Sequence, residues 1–304
     1  MVAGTPAFLV AGAIPADAAP PPPDPAQQLG AAQNALDLVV EQYDTAREKL
    51  GRTIAARDAA TRALAPYAGE VNALRDEVSR YSSTLYKNAG GRGMTALLSA
   101  GTPGTLLDEL TTLNHIAVVH RRQIDALRAA EAVYAGQRHR LDLLVTQQSA
   151  QQASLAAKRT RIEAQIAQLR QLPVAAPAPA GVVSPIPEGV ADPVVRYVFA
   201  QLGKAYQWGA AGPSTFDCSG LTMAAWRAAG VSLPHSAAMQ WAGVEHLSRD
   251  QLQPGDLVFY YSNIHHVAMY IGNGKVIHAP TFGRDVTIAP IDLSPIYGYG
   301  RPRR

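Results

Sequence analysis

The chain has 304 residues, enough for about two domains, with 47% apolar and 17% charged residues, so a packed core is within reach. The net charge is +3, from 27 basic and 24 acidic residues, with no aromatic–basic interleaving, which argues against a nucleic-acid binder. A single cysteine, Cys218, rules out an internal disulfide and leaves one thiol for chemistry or for a partner.

Residues 1–19 read as a truncated export signal. Ala7 to Ile14 is a short apolar run and Ala16-Asp17-Ala18 fits a small-x-small cleavage site, although no Lys or Arg precedes the run. The run is too short to span a bilayer. Export to the cell envelope or beyond is the expectation.

Residues 20–28 form a Pro-rich leader, expected to be extended. From 29 to 172 the composition turns to Ala, Gln, Arg, Glu and Leu. Apolar residues at Leu36, Val40, Tyr43, Leu50 and Ile54, then at Tyr67, Val71, Leu74, Val78, Tyr81 and Leu85, follow steps of three, four or seven. This is a coiled-coil seam. Pro66 sits between the two runs and is expected to break or kink the helix. A Gly-rich stretch at 89–105, with a short helix at Met94 to Ser99, reads as a tip. A second seam follows: Leu141, Val145, Gln148, Gln152, Leu155, Arg159, Ile162, Ile166 and Leu169, loosened by its polar members. Two helices of about 60 residues would each extend about 90 Å. The expectation is a long antiparallel coiled-coil hairpin, an arm and not a globule. Its seams are best explained by self-association, and its tip is the better candidate for a partner. The hairpin is either a passive spacer or a regulatory arm that lies across the Cys218 groove until a partner grips the tip.

Residues 173–187 are a Pro/Ala linker, semi-rigid and extended. The last domain, 188–304, begins with helical patterns at Val194 to Leu202 and from Cys218 to Gly230. Strand-like runs follow at Asp256 to Tyr261, His266 to Ile271, Lys275 to His278 and Val286 to Ile291. Gly272-Asn273-Gly274 predicts a tight hairpin between the second and third runs. Helices first and strands afterwards predict an α+β domain with an antiparallel sheet.

Cys218 falls at a helix start, where unpaired N–H groups and the macrodipole favour a thiolate. A lone cysteine is more often a small buried hydrophobe. The downstream histidines reverse that balance, because a base beside the thiol makes it a nucleophile. If His266 and His278 lie on hairpin partners, His266 can act as base and His278 can orient its other ring nitrogen. His265 would face the opposite side of the strand, as a satisfied polar edge. Zinc held by Cys218, His266 and His278 is the weaker alternative, since no CxxC or HxxxH spacing supports it; no metal or cofactor is expected.

Residues from about 190 to 304 resemble the NlpC-type papain-like peptidases that cut bacterial peptidoglycan. The matching stretches are Ala205-Tyr206-Gln207-Trp208-Gly209, Phe216-Asp217-Cys218-Ser219-Gly220-Leu221, Leu233-Pro234-His235-Ser236, Gln253 to Phe259, His266 to Gly272 and Val276 to Pro280. The resemblance implies a papain-like fold, with Cys218 as nucleophile, His266 as general base and His278 as orienting residue. It further implies Tyr206 at the oxyanion site, and Asp217, Ser219 and Ser236 around the substrate. For Trp208 core packing is the better reading. His235 departs from the Arg that many relatives carry. The layout as a whole is similar to actinobacterial division hydrolases of the RipC-like kind. That likeness implies an arm whose tip meets a membrane-embedded, ABC-transporter-like division complex, and cleavage between D-isoglutamate and meso-diaminopimelate. Acyl transfer or amidase activity on the same fold, and a non-catalytic adaptor that only binds peptidoglycan, are the rival readings.

Overall fold

The computed structural model describes residues 25–89, 103–171 and 192–303. The expected signal, the Pro/Ala linker, the short helix at Met94 to Ser99 and most of the Gly-rich tip lie outside these residues. Helix α1 (Pro25–Ala89) and helix α2 (Pro103–Leu169) run antiparallel. Cross-links fix their register: Lys158 to Gln42 at 3.2 Å, Arg57 to Gln148 at 2.9 Å, Arg75 to Glu131 at 2.7 Å and Gln123 to Glu77 at 2.6 Å. Both helices start earlier than the sequence suggested, on prolines that need no intrahelical donor in the first turn. The helical pair accordingly claims Pro25 to Gln28 from the expected leader. Neither is long and apolar enough to cross a membrane.

Two expectations about the pair are corrected. α1 runs through Pro66 without a break. The proline removes one bond, to the carbonyl of Arg62, and both residues are exposed, so water can satisfy that carbonyl. In α2, Val145, Gln152 and Arg159 are exposed, and Leu144, Gln151 and Lys158 turn inward instead. Each interval of seven can be split four-three or three-four, and the helix takes the second. The inner line becomes 141, 144, 148, 151, 155, 158 and 162.

The C-terminal domain opens with α3 (Pro193–Phe199), capped by Asp192, whose carboxylate accepts from Val194 N at 2.8 Å. α4 (Cys218–Ala228) and α5 (Ala237–Gly243) follow. Then come β1 (Glu245–Leu247), β2 (Leu257–Tyr260), β3 (His266–Gly272), β4 (Lys275–His278), β5 (Thr287–Pro290) and β6 (Ile296–Arg301). They form one antiparallel sheet in the order β1-β6-β2-β3-β4-β5. β1 and β6 went unread in the sequence. The β3–β4 turn is Asn273-Gly274, both with positive φ (53° and 66°), the conformation that matches strand twist in a two-residue hairpin.

α3 and α4 cover one face of the sheet. Val194, Val198, Leu221, Ala225 and Trp226 pack there on Leu257, Phe259, Val267, Met269 and Ile277. The helical pair joins this domain at its base. Leu36, Val39 and Val40 of α1 pack with Ile162, Ile166 and Leu169 of α2, and Trp208 and Phe282 of the C-terminal domain close the cluster.

Candidate active site under the base of the arm

Asp217 sets the position of Cys218. Its backbone is extended and its carboxylate caps α4, accepting from Gly220 N at 2.7 Å. This leaves Cys218 as the first helical residue. Gly220 is required in the same turn, because a Cβ there would stand 2.2 Å from the carbonyl of Ala210. Ser219 turns inward, its hydroxyl 3.3 Å from Asp217 and its carbonyl accepting from Thr222 and Gln240.

The thiol rests against the start of β3, with its sulfur 3.9 Å from the carbonyl of His265 and the backbone N–H of Val267 directed to it. His266 is therefore the next side chain along the strand. Since Met269 pairs with Ile277, His278 stands opposite Ala268 and shares a face with His266. The rings meet edge to face, and His266 Nε2 lies 2.9 Å from His278 Nδ1. His265 stacks on Tyr261 and hydrogen-bonds Asn263. Tyr206 is buried nearby. Burial holds its phenol protonated and so available as a donor.

The thiolate expected from the helix start is not favoured in this arrangement. Burial pushes the Cys218 thiol well up, and the carboxylates of Asp217, Glu41 and Asp37 push it further. Burial likewise holds His266 well below the ordinary imidazole range, with His278 and His265 adding to the effect. His278 is lowered to about 4 by burial and by Arg284. Thiol and imidazole are both neutral here, chiefly through burial, and two of the three carboxylates that add to it at the thiol belong to α1.

Of the two readings of the hairpin, a passive spacer or an arm across the Cys218 groove, α1 takes the second and lies on the site. Glu41 accepts from Ser236 Oγ at 2.5 Å, Ala237 N at 2.8 Å and Ala238 N at 3.1 Å. Asp37 accepts from Thr281 Oγ1 at 2.9 Å, and Glu48 from His235 N at 2.9 Å. Thr45 is 2.8 Å from Ser236 Oγ. Gln33 donates to the carbonyl of Phe282 at 3.3 Å, and Tyr43 meets Trp208 edge to face, with centroids 5.2 Å apart. Trp208 is thus an arm contact as well as a core residue. Of the expected substrate-contacting residues, Ser236 is occupied by Glu41. Asp217 is bonded through both oxygens to His235 Nε2 at 2.8 Å.

His235 accounts for the departure from Arg. Its ring pairs with Asp217 as an arginine would, and Arg47 of α1 reaches its Nδ1 while donating to the carbonyl of Gly209 at 3.3 Å. Asp44 joins this group, 3.7 Å from the Arg47 guanidinium. The guanidinium supplies the positive charge among these acids, so the group reads as an ionic contact and not as a metal-ligand set. One signal in the sequence pointed to α1: Asp37, Glu41 and Asp44 repeat at steps of four and three beside a seam that already had its apolar residues.

Residues 203–297 match the model of the NlpC/P60 family. A probable endopeptidase of Mycobacterium tuberculosis, Rv2190c, is 29% identical over 90% of this chain and 89% of its own length. The probable endopeptidase p60 of Listeria monocytogenes is 51% identical over 84 residues, which are 27% of this chain and 17% of that protein. Among solved structures, the P60 domain of the M. avium subspecies paratuberculosis antigen MAP1204 is 30% identical over 36% of this chain and 91% of that domain, with a TM-score of 0.34. NlpC2 of Trichomonas vaginalis is also 30% identical over 36% of this chain, with a TM-score of 0.34, and the match spans 45% of that protein.

Proposed function

As a member of the NlpC/P60 family over residues 203–297, the chain is a cysteine peptidase, and we propose that it is an exported hydrolase of bacterial cell-wall peptide stems. The bond we assign is the one between D-isoglutamate and meso-diaminopimelate, in wall remodelling at division. The observation that carries the reading is the His266–His278 hydrogen bond beside the Cys218 sulfur, which rests 3.9 Å from the carbonyl that precedes His266, on a chain similar along most of its length to a mycobacterial probable endopeptidase.

The mechanism requires the tautomer in which His266 carries its proton on Nε2, donates it to His278 Nδ1 2.9 Å away, and presents a free lone pair at Nδ1. That nitrogen takes the Cys218 proton as sulfur attacks the carbonyl carbon. The oxyanion accepts from the Cys218 N–H and the Tyr206 hydroxyl. The C–N bond then breaks, and His266 returns its proton to the leaving amine. Water, deprotonated by the same nitrogen, hydrolyses the acyl-enzyme and frees the thiol. The His266 Nε2–H···His278 bond persists through every step and steadies the imidazolium.

In this reading α1 is a restraint. Glu41 occupies Ser236 and the adjacent N–H groups, and burial, with Glu41 adding to it, disfavours the thiolate. A division complex that grips the tip of the arm would lift it. Digestion of meso-diaminopimelate-type peptidoglycan by the full chain, with products weighed by mass spectrometry, tests the activity. Fragments ending in D-isoglutamate are expected. Release of intact stems from the glycan would point to an amidase, and no fragments even after α1 is destabilised would point to an adaptor.

A further inference from the structure

The contact between α1 and the peptidase domain carries an excess of acid. α1 contributes Asp37, Glu41, Asp44 and Glu48, and the start of α4 contributes Asp217, which is fully buried. The positive or titratable partners are Arg47 on α1 and His235 ahead of α5. The other titratable groups facing this contact are Cys218 and Tyr206. Beyond Cys218 stand His266 and His278, the latter beside Arg284. On the α2 side, Lys158 is bonded to Gln42, Arg159 to Glu163, and Arg170 lies over the Phe282 ring.

These acids are not equally served. Glu41 has four donors, counting Thr45 at 3.2 Å. Asp37 has the hydroxyl of Thr281. Asp44 is almost wholly buried, its Oδ1 makes no hydrogen bond among the described residues and has only the Arg47 guanidinium at 3.7 Å, and an oxygen of Asp217 lies within 4.8 Å of one of its own. A buried carboxylate short of hydrogen bonds is costly, and two adjacent carboxylates resist ionising together. A protonated carboxyl relieves both costs without moving an atom.

We propose that closure of the arm is coupled to proton uptake: α1 lies on the groove with Asp37 and Asp44 as neutral acids, and it lifts as they ionise. The inference rests on the reading of α1 as a cover over the Cys218 site. Burial pushes Asp37 up to about 7, with Asp217 adding to it against the Thr281 hydrogen bond. Burial and then Asp217 push Asp44 well up, and the nearby Arg47 does not offset them. On a released, solvated arm both carboxyls return to about 4. The docked form therefore holds more protons. Docking is at full strength below about pH 4 and weakens tenfold per pH unit for each group as pH rises toward that group's docked value. For Asp37 the window closes near 7, and for Asp44 it extends further. A rise in external pH opens the enzyme, and an acidified wall keeps it shut.

The test uses the full chain and the double variant Asp37→Asn/Asp44→Asn, whose amides keep the shape and cannot ionise. Cys218, the chain's one thiol, is alkylated with iodoacetamide from pH 5.5 to 8.5. Each wild-type rate is divided by the variant's rate at the same pH, which removes the shared part of the thiol's titration; ionised Asp37 raises the wild-type thiol and so works against the expected rise. The ratio is expected to rise at least tenfold across that range, and small-angle scattering of the same samples should show expansion with pH in the wild type alone. A ratio flat within twofold, with the thiol protected in both proteins, overturns the proton coupling and leaves the covering arm standing. Alkylation of both at the rate of a free cysteine peptide at every pH overturns the cover and the coupling together. If circular dichroism shows the double variant unfolded, Asp44→Asn alone is measured under the same criteria.

Discussion

Two buried carboxylate sites, one at each end of the peptidase domain, are built on opposite principles. Asp256 is closed by a forked ion pair, with Arg301 Nε and its second terminal nitrogen each 2.7 Å from a carboxylate oxygen, and it also accepts from Gln253 N at 2.7 Å. It ties β6 to the loop before β2 with every charge matched. The acids gathered at α1 and Asp217 share one arginine and one histidine, and the Asp44 oxygen 3.7 Å from Arg47 has no hydrogen bond among the described residues. A matched pair inside one domain is a permanent fastening, whereas breaking one member leaves an uncompensated buried charge. An under-matched contact between two parts of a chain holds while protonation and apolar packing support it, and is released when either changes. The first site should thus govern stability, and the second access to Cys218.

The sharpest separation comes from Cys218→Ala. Hydrolysis should fall by roughly a thousandfold or more, as expected when a nucleophile acts as a unit with its base. The melting temperature should stay within a few degrees of wild type, because Ala fits the same helix start. Residual wall cleavage above a hundredth of the wild-type rate would require a different nucleophile.

Glu41→Ala tests the releasable side. It removes the acceptor for Ser236 Oγ, Ala237 N and Ala238 N. Charge-assisted bonds of this kind contribute about 2 kcal/mol even after the cost of burying the acid is deducted. The open population, and with it cleavage by the full chain without any partner, should rise roughly tenfold or more. The helical pair away from its base should be unaffected, because its cross-links lie elsewhere. Unchanged cleavage would make α1 a spacer and not a restraint.

What the sequence shows plainly differs between the same two regions. The peptidase domain was legible because its signals are local. Asp217-Cys218-Ser219-Gly220 encodes a capped helix start, and Asn273-Gly274 encodes the turn that brings His266 and His278 together. β6 was missed because Ile296-Tyr297-Gly298-Tyr299-Gly300 carries two glycines, which read as a loop. They are there for packing: a Cβ on Gly298 would stand 2.6 Å from Trp241, and one on Gly300 would stand 2.3 Å from Val244. The residues that dock α1 were legible only as the four-three spacing of Asp37, Glu41 and Asp44. Each acid that makes the contact looks like a solvated helix residue until its partner, some 190 positions away, is placed against it.

The permanent side is tested by Arg301→Ala. Asp256 is almost wholly buried and would lose both arms of the fork. Arg301 itself is about one-third exposed, so water recovers part of the loss, and roughly 2 kcal/mol of domain stability is the expected cost. Thermal unfolding should shift by several degrees. Alkylation of Cys218 at a given pH should not change, since the pair lies outside the arm contact. A faster alkylation in this variant would mean that the two carboxylate sites are coupled, and the contrast between them would fail.

The smallest effect expected is the difference between two replacements of His278. In the assigned tautomers it contributes an acceptor to His266 Nε2–H and never exchanges a proton with substrate. Gln retains an acceptor oxygen near that position, whereas Ala leaves the N–H of a buried imidazole unpaired. An unpaired buried donor costs about 1–3 kcal/mol. The cost is felt most by the imidazolium formed during catalysis, so Ala should lower kcat by roughly tenfold to a hundredfold. Gln should recover a several-fold part of it, with KM little changed in either variant. The measurement belongs in the Glu41→Ala background, where the arm does not mask the site. Equal losses for Ala and Gln would show that His278 does more than orient its neighbour, and the proton assignment on His266 would then have to be reversed.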